Sequence, residues 1–156
     1  FLVVGTGPRR EIDALRQLAT DCGVADQLVL AGRQDDVRPY LDASDVFVHP
    51  SHDEPFGLAI VEAMAMAMPV VACDSGGVPE IVTEGRDGLL VPPRSASALA
   101  QALGRVRALP DKGATLGRAA RSTVCARYTP AHAADAASAV WGRLCRNAGA
   151  GVPENA

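Results

Sequence analysis

The sequence predicts an α/β domain with a doubly wound, mostly parallel sheet followed by C-terminal helices, and three observations carry that expectation. Short apolar runs at Phe1–Val4, Leu28–Ala31, Val46–Val48, Val70–Ala72 and Leu89–Val91 alternate with segments of helical periodicity. Each run is continuously apolar, the pattern of strands covered by helices on both faces. The connections are short, as in successive β-α-β units whose ligands gather at the carboxyl ends of the strands.

Each element has its own signal. Phe1–Val4 is cut by Gly5-Thr-Gly7-Pro8, residues that end strands. From Arg9 to Cys22 the apolar positions Ile12, Leu15, Leu18, Ala19 and Cys22 recur at three- and four-residue spacing, which lays one stripe along a helix, and Gly23 is a natural stop. Leu28–Ala31 reads as the second strand, Val37–Ala43 as a short helix and Val46–Val48 as the third strand. A loop over His49–Pro55 leads into a helix from Gly57 to Met66, then come the strand Val70–Ala72, a Gly76-Gly77 turn and the strand Leu89–Val91. After Pro92-Pro93 the chain turns alanine-rich. Ser95 caps a helix to Leu109, and Asp111–Arg127 and Pro130–Arg146 follow as packing helices. The domain is therefore expected over 1–146, with 147–156 as a disordered Gly/Pro/Ala tail.

Composition excludes several function classes. The 156 residues suit one domain, with 48% apolar and 21% charged residues arguing against disorder. Fifteen Lys and Arg against 18 Asp and Glu give a net charge of −3, and no window has the basic, aromatic-interleaved character of a nucleic-acid surface, so no nucleic-acid partner is expected. The apolar stretch Ala63–Met68 falls far short of the ~20 residues of a membrane span, so no transmembrane segment is expected. Cys22, Cys73, Cys125 and Cys145 form no CxxC pair and there is no Asn-x-Ser/Thr sequon, which predicts reduced, mostly buried thiols and a cytoplasmic location. Peripheral membrane attachment of the full-length protein stays open.

Two nucleotide motifs are excluded. Gly5-Thr-Gly7-Pro8-Arg9-Arg10 puts Arg where a dinucleotide fingerprint needs its third glycine, and no GxxxxGK[ST] occurs. Gly5 and Gly7 remain a turn that a ligand could approach closely, or a plain strand-to-helix turn. His49 and His52 lack further ligands at metal spacing, so no metal site is expected.

The segment His49-Pro-Ser-His-Asp-Glu54-Pro-Phe-Gly-Leu-Ala-Ile-Val-Glu62 stands apart. It starts at a strand's carboxyl end and enters a helix at Gly57, whose first N–H groups at Gly57, Leu58 and Ala59 and positive dipole end suit a phosphate. Glu54 precedes that tip and Glu62 lies inside the helix. A carboxylate accepts two hydroxyls at once and so fits a sugar diol. The structural alternatives are a dipole-favoured helix start for Glu54 and a solvated position for Glu62. Against the second, Glu62 falls amid Ile60, Val61, Ala63 and Met64, where an unpaired buried acid is costly.

These residues also resemble a known family. Glu54, seven intervening residues and Glu62, in the run E-P-F-G-L-A-I-V-E-A-M, resemble the E-x7-E motif of the retaining glycosyltransferases of family 4, whose architecture is GT-B. Val3-Val-Gly-Thr-Gly-Pro8, Leu30-Ala-Gly-Arg33, Asp45–Ser51, Pro69–Ala72 and Gly76–Val82 stand in the family's order, so the resemblance covers 1–109. It implies a Rossmann-like donor-binding domain, the C-terminal half of an enzyme that moves a sugar from a nucleotide-sugar donor with retention and without a metal or other cofactor. Residue by residue, it implies that Glu54 is the catalytic-site acid touching the donor sugar. Phe56, Gly57 and Leu58 would hold sugar and diphosphate, and Glu62 the ribose. The turns at Gly5, Gly7, Gly32 and Arg33, with Asp36, would complete the donor site toward the base.

The sequence departs from the family at its start. Members carry a further strand and helix there, with a Gly-Arg and a Lys that grip the diphosphate. Here the single lysine is Lys112, in the late helical region, and Arg9 and Arg10 follow the wrong strand. The expectation is a domain incomplete at its N-terminus, partnered by an N-terminal acceptor domain of the same protein, and inactive in transfer alone. A nucleotide-sugar epimerase of the same fold and a non-catalytic nucleotide-sugar-binding module are the alternatives. A phosphorylase would need a pyridoxal phosphate lysine, and Lys112 is badly placed for one.

Overall fold

The computed structural model describes residues 1–149 as two wholly parallel sheets wrapped by helices. In chain order the elements are β1 (Leu2–Val4), α1 (Arg9–Asp21), β2 (Val29–Gly32), α2 (Arg38–Asp42), β3 (Phe47–His49), α3 (Leu58–Ala65), β4 (Val70–Cys73), α4 (Val78–Ile81), β5 (Leu89–Val91), α5 (Ala96–Ala108), α6 (Ala114–Arg127) and α7 (Pro130–Gly149), with a single 3-10 turn at Ala25–Gln27. The alternation read from the sequence is the observed one. Its strands and helices start and stop within a few residues of the expected places.

β1 pairs with β2, and β3, β4 and β5 form a second sheet in that order. β4 is its centre, and its pleat explains the two-layer cover. Val70 and Ala72 face one core with Ile60, Ala63 and Met64 of α3 and Ala120 and Val124 of α6. Val71 and Cys73 face the other with Leu89 and Val91 of β5, Ala102 and Val106 of α5 and Leu116 of α6. Val70, Val71 and Ala72 have no exposed surface, so at ~25 cal/mol per Å2 of apolar area this strand is the energetic centre of the fold. Gly117 lets α6 lie against the connection from α3 to β4, since a Cβ there would run into the Ala67 carbonyl.

The structure corrects five expectations. β1 and β2 are not covered on both faces: Leu2 and Val3, which point to opposite faces of the sheet, are each 40% exposed and Val29 is 56% exposed. Residues after the Gly76-Gly77 turn form α4, started by Pro79 in its first turn, where the sequence reading placed only a turn. Asp111 lies outside α6 and caps it, accepting from the backbone N–H groups of Gly113 and Thr115; the Thr115 bonds hold its carboxyl below the usual range. Of the four thiols only Cys73 is buried. Helix α7 also runs three residues past Arg146, taking 147–149 from the tail, while 150–156 lie outside the described residues. Among the described residues no helix is long and apolar enough to cross a membrane.

Candidate functional site

The site is assembled where β3 ends and α3 begins. β3 is fixed by parallel pairing with β4, His49 opposite Ala72, so the chain leaves the sheet at its carboxyl edge. The next residues fold back under the turn that follows β4. The Ser75 hydroxyl donates to the Ser51 carbonyl at 3.2 Å and the Gly77 N–H donates to the Glu54 carbonyl at 2.9 Å. Gly76 adopts φ +55°, and a Cβ on either Gly76 or Gly77 would collide with the Glu54-Pro55 backbone. The two glycines therefore exist to let one loop lie against the other.

That docking returns the Glu54 side chain toward the strand it followed. Its Oε2 lies 3.0 Å from Nε2 of His49 and its Oε1 accepts the Phe56 N–H at 3.3 Å. Gly57, at φ +102°, turns the chain into α3. The first intrahelical bond is Ile60 N–H to Gly57 C=O, so the N–H groups of Gly57, Leu58 and Ala59 precede the ladder. Phe56 packs edge-on against Tyr128 with ring centroids 6.1 Å apart, and the Tyr128 hydroxyl donates to the Glu80 carbonyl at 2.8 Å. The end of α6, expected to be packing alone, thus braces the loop that precedes the helix tip.

Glu62 is exposed, not embedded among apolar neighbours as the sequence argument held. Its helix buries Ile60, Ala63 and Met64 and turns Leu58, Ala59 and Glu62 outward, the 3.6-residue period sorting one face from the other. Glu62 lines a hollow of about 390 Å3 with Asp35, Asp36, Val37, Arg38, Leu41, Ala65 and Met66. Asp36 is already engaged there: Arg38 donates Nε to Oδ1 and Nη2 to Oδ2, each at 2.8 Å, and its backbone N–H to Oδ1 at 3.0 Å. The guanidinium holds the Asp36 carboxyl down at about 2.

The predicted residues therefore fall into three groups. Glu54, Phe56, Gly57 and Leu58 meet at the tip of α3, and Glu62 and Asp36 share the hollow one helical turn along, whose lining does not include Glu54. Gly5 and Gly32 form the third, joined by the Gly5 N–H donating to the Gly32 carbonyl at 2.8 Å, with Gly7 and Arg33 exposed in the two turns. Sequence reasoning missed Arg38, His49 as a partner of Glu54, and Tyr128. The Asp36-Val37-Arg38 spacing at a helix start was a visible signal for Arg38. Nothing local signalled Tyr128, which lies 72 positions from Phe56.

The chain is similar to several known proteins. Residues 1–108 match the family model described as glycosyl transferases group 1. A GDP-mannose-dependent alpha-(1-6)-phosphatidylinositol monomannoside mannosyltransferase of Mycobacterium tuberculosis is 35% identical over 137 residues, covering 82% of this chain and 35% of the relative. The lipopolysaccharide core biosynthesis glycosyltransferase LpsE of Rhizobium meliloti is 42% identical over 100 residues, covering 64% of this chain and 29% of the relative. Among solved structures, sucrose-phosphate synthase of Thermosynechococcus elongatus superposes with TM-score 0.81 at 35% identity, over 97% of this chain and 39% of that one. Anabaena HepE in complex with UDP-glucose superposes with TM-score 0.75 at 31% identity, over 79% and 35%. The chain spans about a third of the length of these curated relatives.

Proposed function

The chain belongs to the glycosyl transferases group 1 family, and from that premise we propose that, within a longer protein, it binds the nucleotide-sugar donor of a retaining, metal-independent sugar transfer. The observation that carries this reading is the path along α3: an open, positively poled helix tip beside Glu54, then an outward stripe leading to Glu62 and the hollow at Asp36 and Arg38. A diphosphate suits the tip, because unpaired N–H groups and the dipole favour negative charge without a metal. Glu54 faces sugar hydroxyls on one side, and Glu62, one turn along and exposed, takes the ribose hydroxyls on the other. As the diphosphate departs, charge develops where the N–H groups already point, which is how a fixed dipole lowers a barrier.

The two sheets support a role inside a longer protein. A further parallel strand between β1 and β3 would join β2-β1 and β3-β4-β5 into the doubly wound order 3-2-1-4-5-6. That strand would pair with the edge of β1, its helix would help to cover that sheet, and the pair would set ligand-binding loops at the point where the strand order reverses. Such a unit, with the acceptor domain, would supply the diphosphate grip that these 156 residues lack.

The test is calorimetric titration of the full-length protein with UDP, GDP, UDP-glucose and GDP-mannose, followed by Glu62→Ala. Loss of a charged hydrogen-bonding partner of ~1.5–3 kcal/mol corresponds to a roughly 10- to 100-fold weaker nucleoside diphosphate. Unchanged affinity would overturn the ribose role. Retention is read from the anomeric configuration of the product by NMR.

A further inference from the structure

We propose that His49 is a positioning residue for Glu54, holding its carboxylate in the orientation that meets the donor sugar. The inference rests on the reading that Glu54 touches that sugar, and goes beyond it by naming what fixes the acid. His49 Nε2 and Glu54 Oε2 are 3.0 Å apart, with the two side chains only 15% and 24% exposed. A carboxylate only accepts, so Nε2 carries the proton and donates. The imidazole is itself held at both ends: its backbone is the last paired position of β3, and its ring stacks on Phe47 at 6.2 Å with 19° between the planes.

Without His49, Glu54 would keep one side-chain tether, the longer 3.3 Å bond from the Phe56 N–H. A glutamate has three rotatable torsions, and a free one samples rotamers that point its oxygens elsewhere. With both oxygens tethered on one side, each keeps acceptor capacity for a ligand hydroxyl in a fixed direction. Preorganisation of this kind matters because a misplacement of about 1 Å at a reacting group can cost on the order of 100-fold. The residues before His49 are Val46, Phe47 and Val48, so an apolar side chain would have served packing alone.

The experiment compares, in the full-length protein, the ratio of affinities for UDP-glucose over UDP and for GDP-mannose over GDP, by calorimetry. His49→Phe keeps an aromatic ring against Phe47 without the N–H, and is expected to lower the ratio for the accepted donor about tenfold while leaving nucleoside diphosphate affinity unchanged. His49→Gln, which can place an N–H near the same point, restores the ratio. In a Glu54→Ala background His49→Phe has no further effect. An unchanged ratio, equal losses for sugar nucleotide and nucleoside diphosphate, or additive losses in the double variant would each overturn the positioning role. If Glu54→Ala itself leaves the ratio unchanged, the reading of Glu54 falls, and the inference with it. If Glu54→Ala lowers the ratio and His49→Phe does not, only the inference falls.

Discussion

β1 and β4 are written in nearly the same letters, Leu-Val-Val against Val-Val-Ala-Cys, yet they live in different surroundings. Val70 and Val71 have no exposed surface, while Leu2 and Val3 each keep 40%. The difference is not propensity. β4 has a strand on each side and helices on both faces, whereas β1 has a single strand beside it. α1 tells the same story, since its stripe is well formed but Leu18 remains 58% exposed and Ala19 alone is buried. An apolar run states that a strand expects cover. It does not state what supplies the cover.

Substitutions in the two halves should therefore differ sharply, and the largest contrast is expected at Asp87. This acid is fully buried between β5 and α6, accepting from the Thr83 N–H at 2.6 Å, the Arg86 guanidinium at 2.7 Å and the Thr123 hydroxyl at 2.8 Å. Asp87→Ala strands those donors and should cost about 3–5 kcal/mol, whereas Leu18→Ala, already in water, should cost about 0.5 kcal/mol or less. Urea denaturation of residues 1–156 with an unchanged m value reads both. Equal costs would break the comparison, because they would mean that α1 is as tightly packed as the β3–β5 half.

The next contrast uses two glycines of similar backbone shape. Gly76 and Gly23 have φ of +55° and +67°, so alanine is strained at either by ~1–2 kcal/mol. At Gly23 nothing stands within 4 Å of an added Cβ, while at Gly76 that atom meets the Glu54 carbonyl. Gly76→Ala should therefore exceed Gly23→Ala by about 1–3 kcal/mol, the usual cost of overpacking, and should also weaken donor binding by moving the Glu54 loop. Matched losses in a thermal melt would show that the two loops are not in contact.

How much of this was legible depends on the range over which each feature is decided. Strand and helix order follows from local periodicity, and the tip of α3 was visible because Gly57 and the carboxylates around it are near in sequence. Asp87 was not singled out, because a buried acid reads like any loop aspartate until Thr123 is brought 36 positions back to it. The exposure of Glu62 was misjudged for a related reason. Its apolar neighbours Ile60, Ala63 and Met64 lie on other faces of the helix, and only the packing of α6 decides which face is inward. α4 was missed because four residues after Gly-Gly carry too little periodicity to announce a helix.

The smallest effect concerns the segment that joins the two halves. Asp36 and Arg38 lie between β2 and β3, both on the surface, where an ion pair adds little to stability. Its signature is a titration. Side-chain hydrogen bonding from Arg38 is the largest cause of the Asp36 carboxyl falling from 3.8 to about 2. A depressed folded value means that the pair's contribution is fully present above 3.8 and fades as pH falls through about 2. Carboxyl NMR titration of the wild type should place Asp36 there, and Arg38→Ala should return it toward 3.8 with a small drop in melting temperature at pH 7 that vanishes as pH falls through about 2. An Asp36 that titrates normally in the wild type would mean that the pair is open in solution. The hollow beside Glu62 would then present a free carboxylate and a free guanidinium to the nucleotide, so the join between the halves would be part of the ligand surface and not a closed clasp.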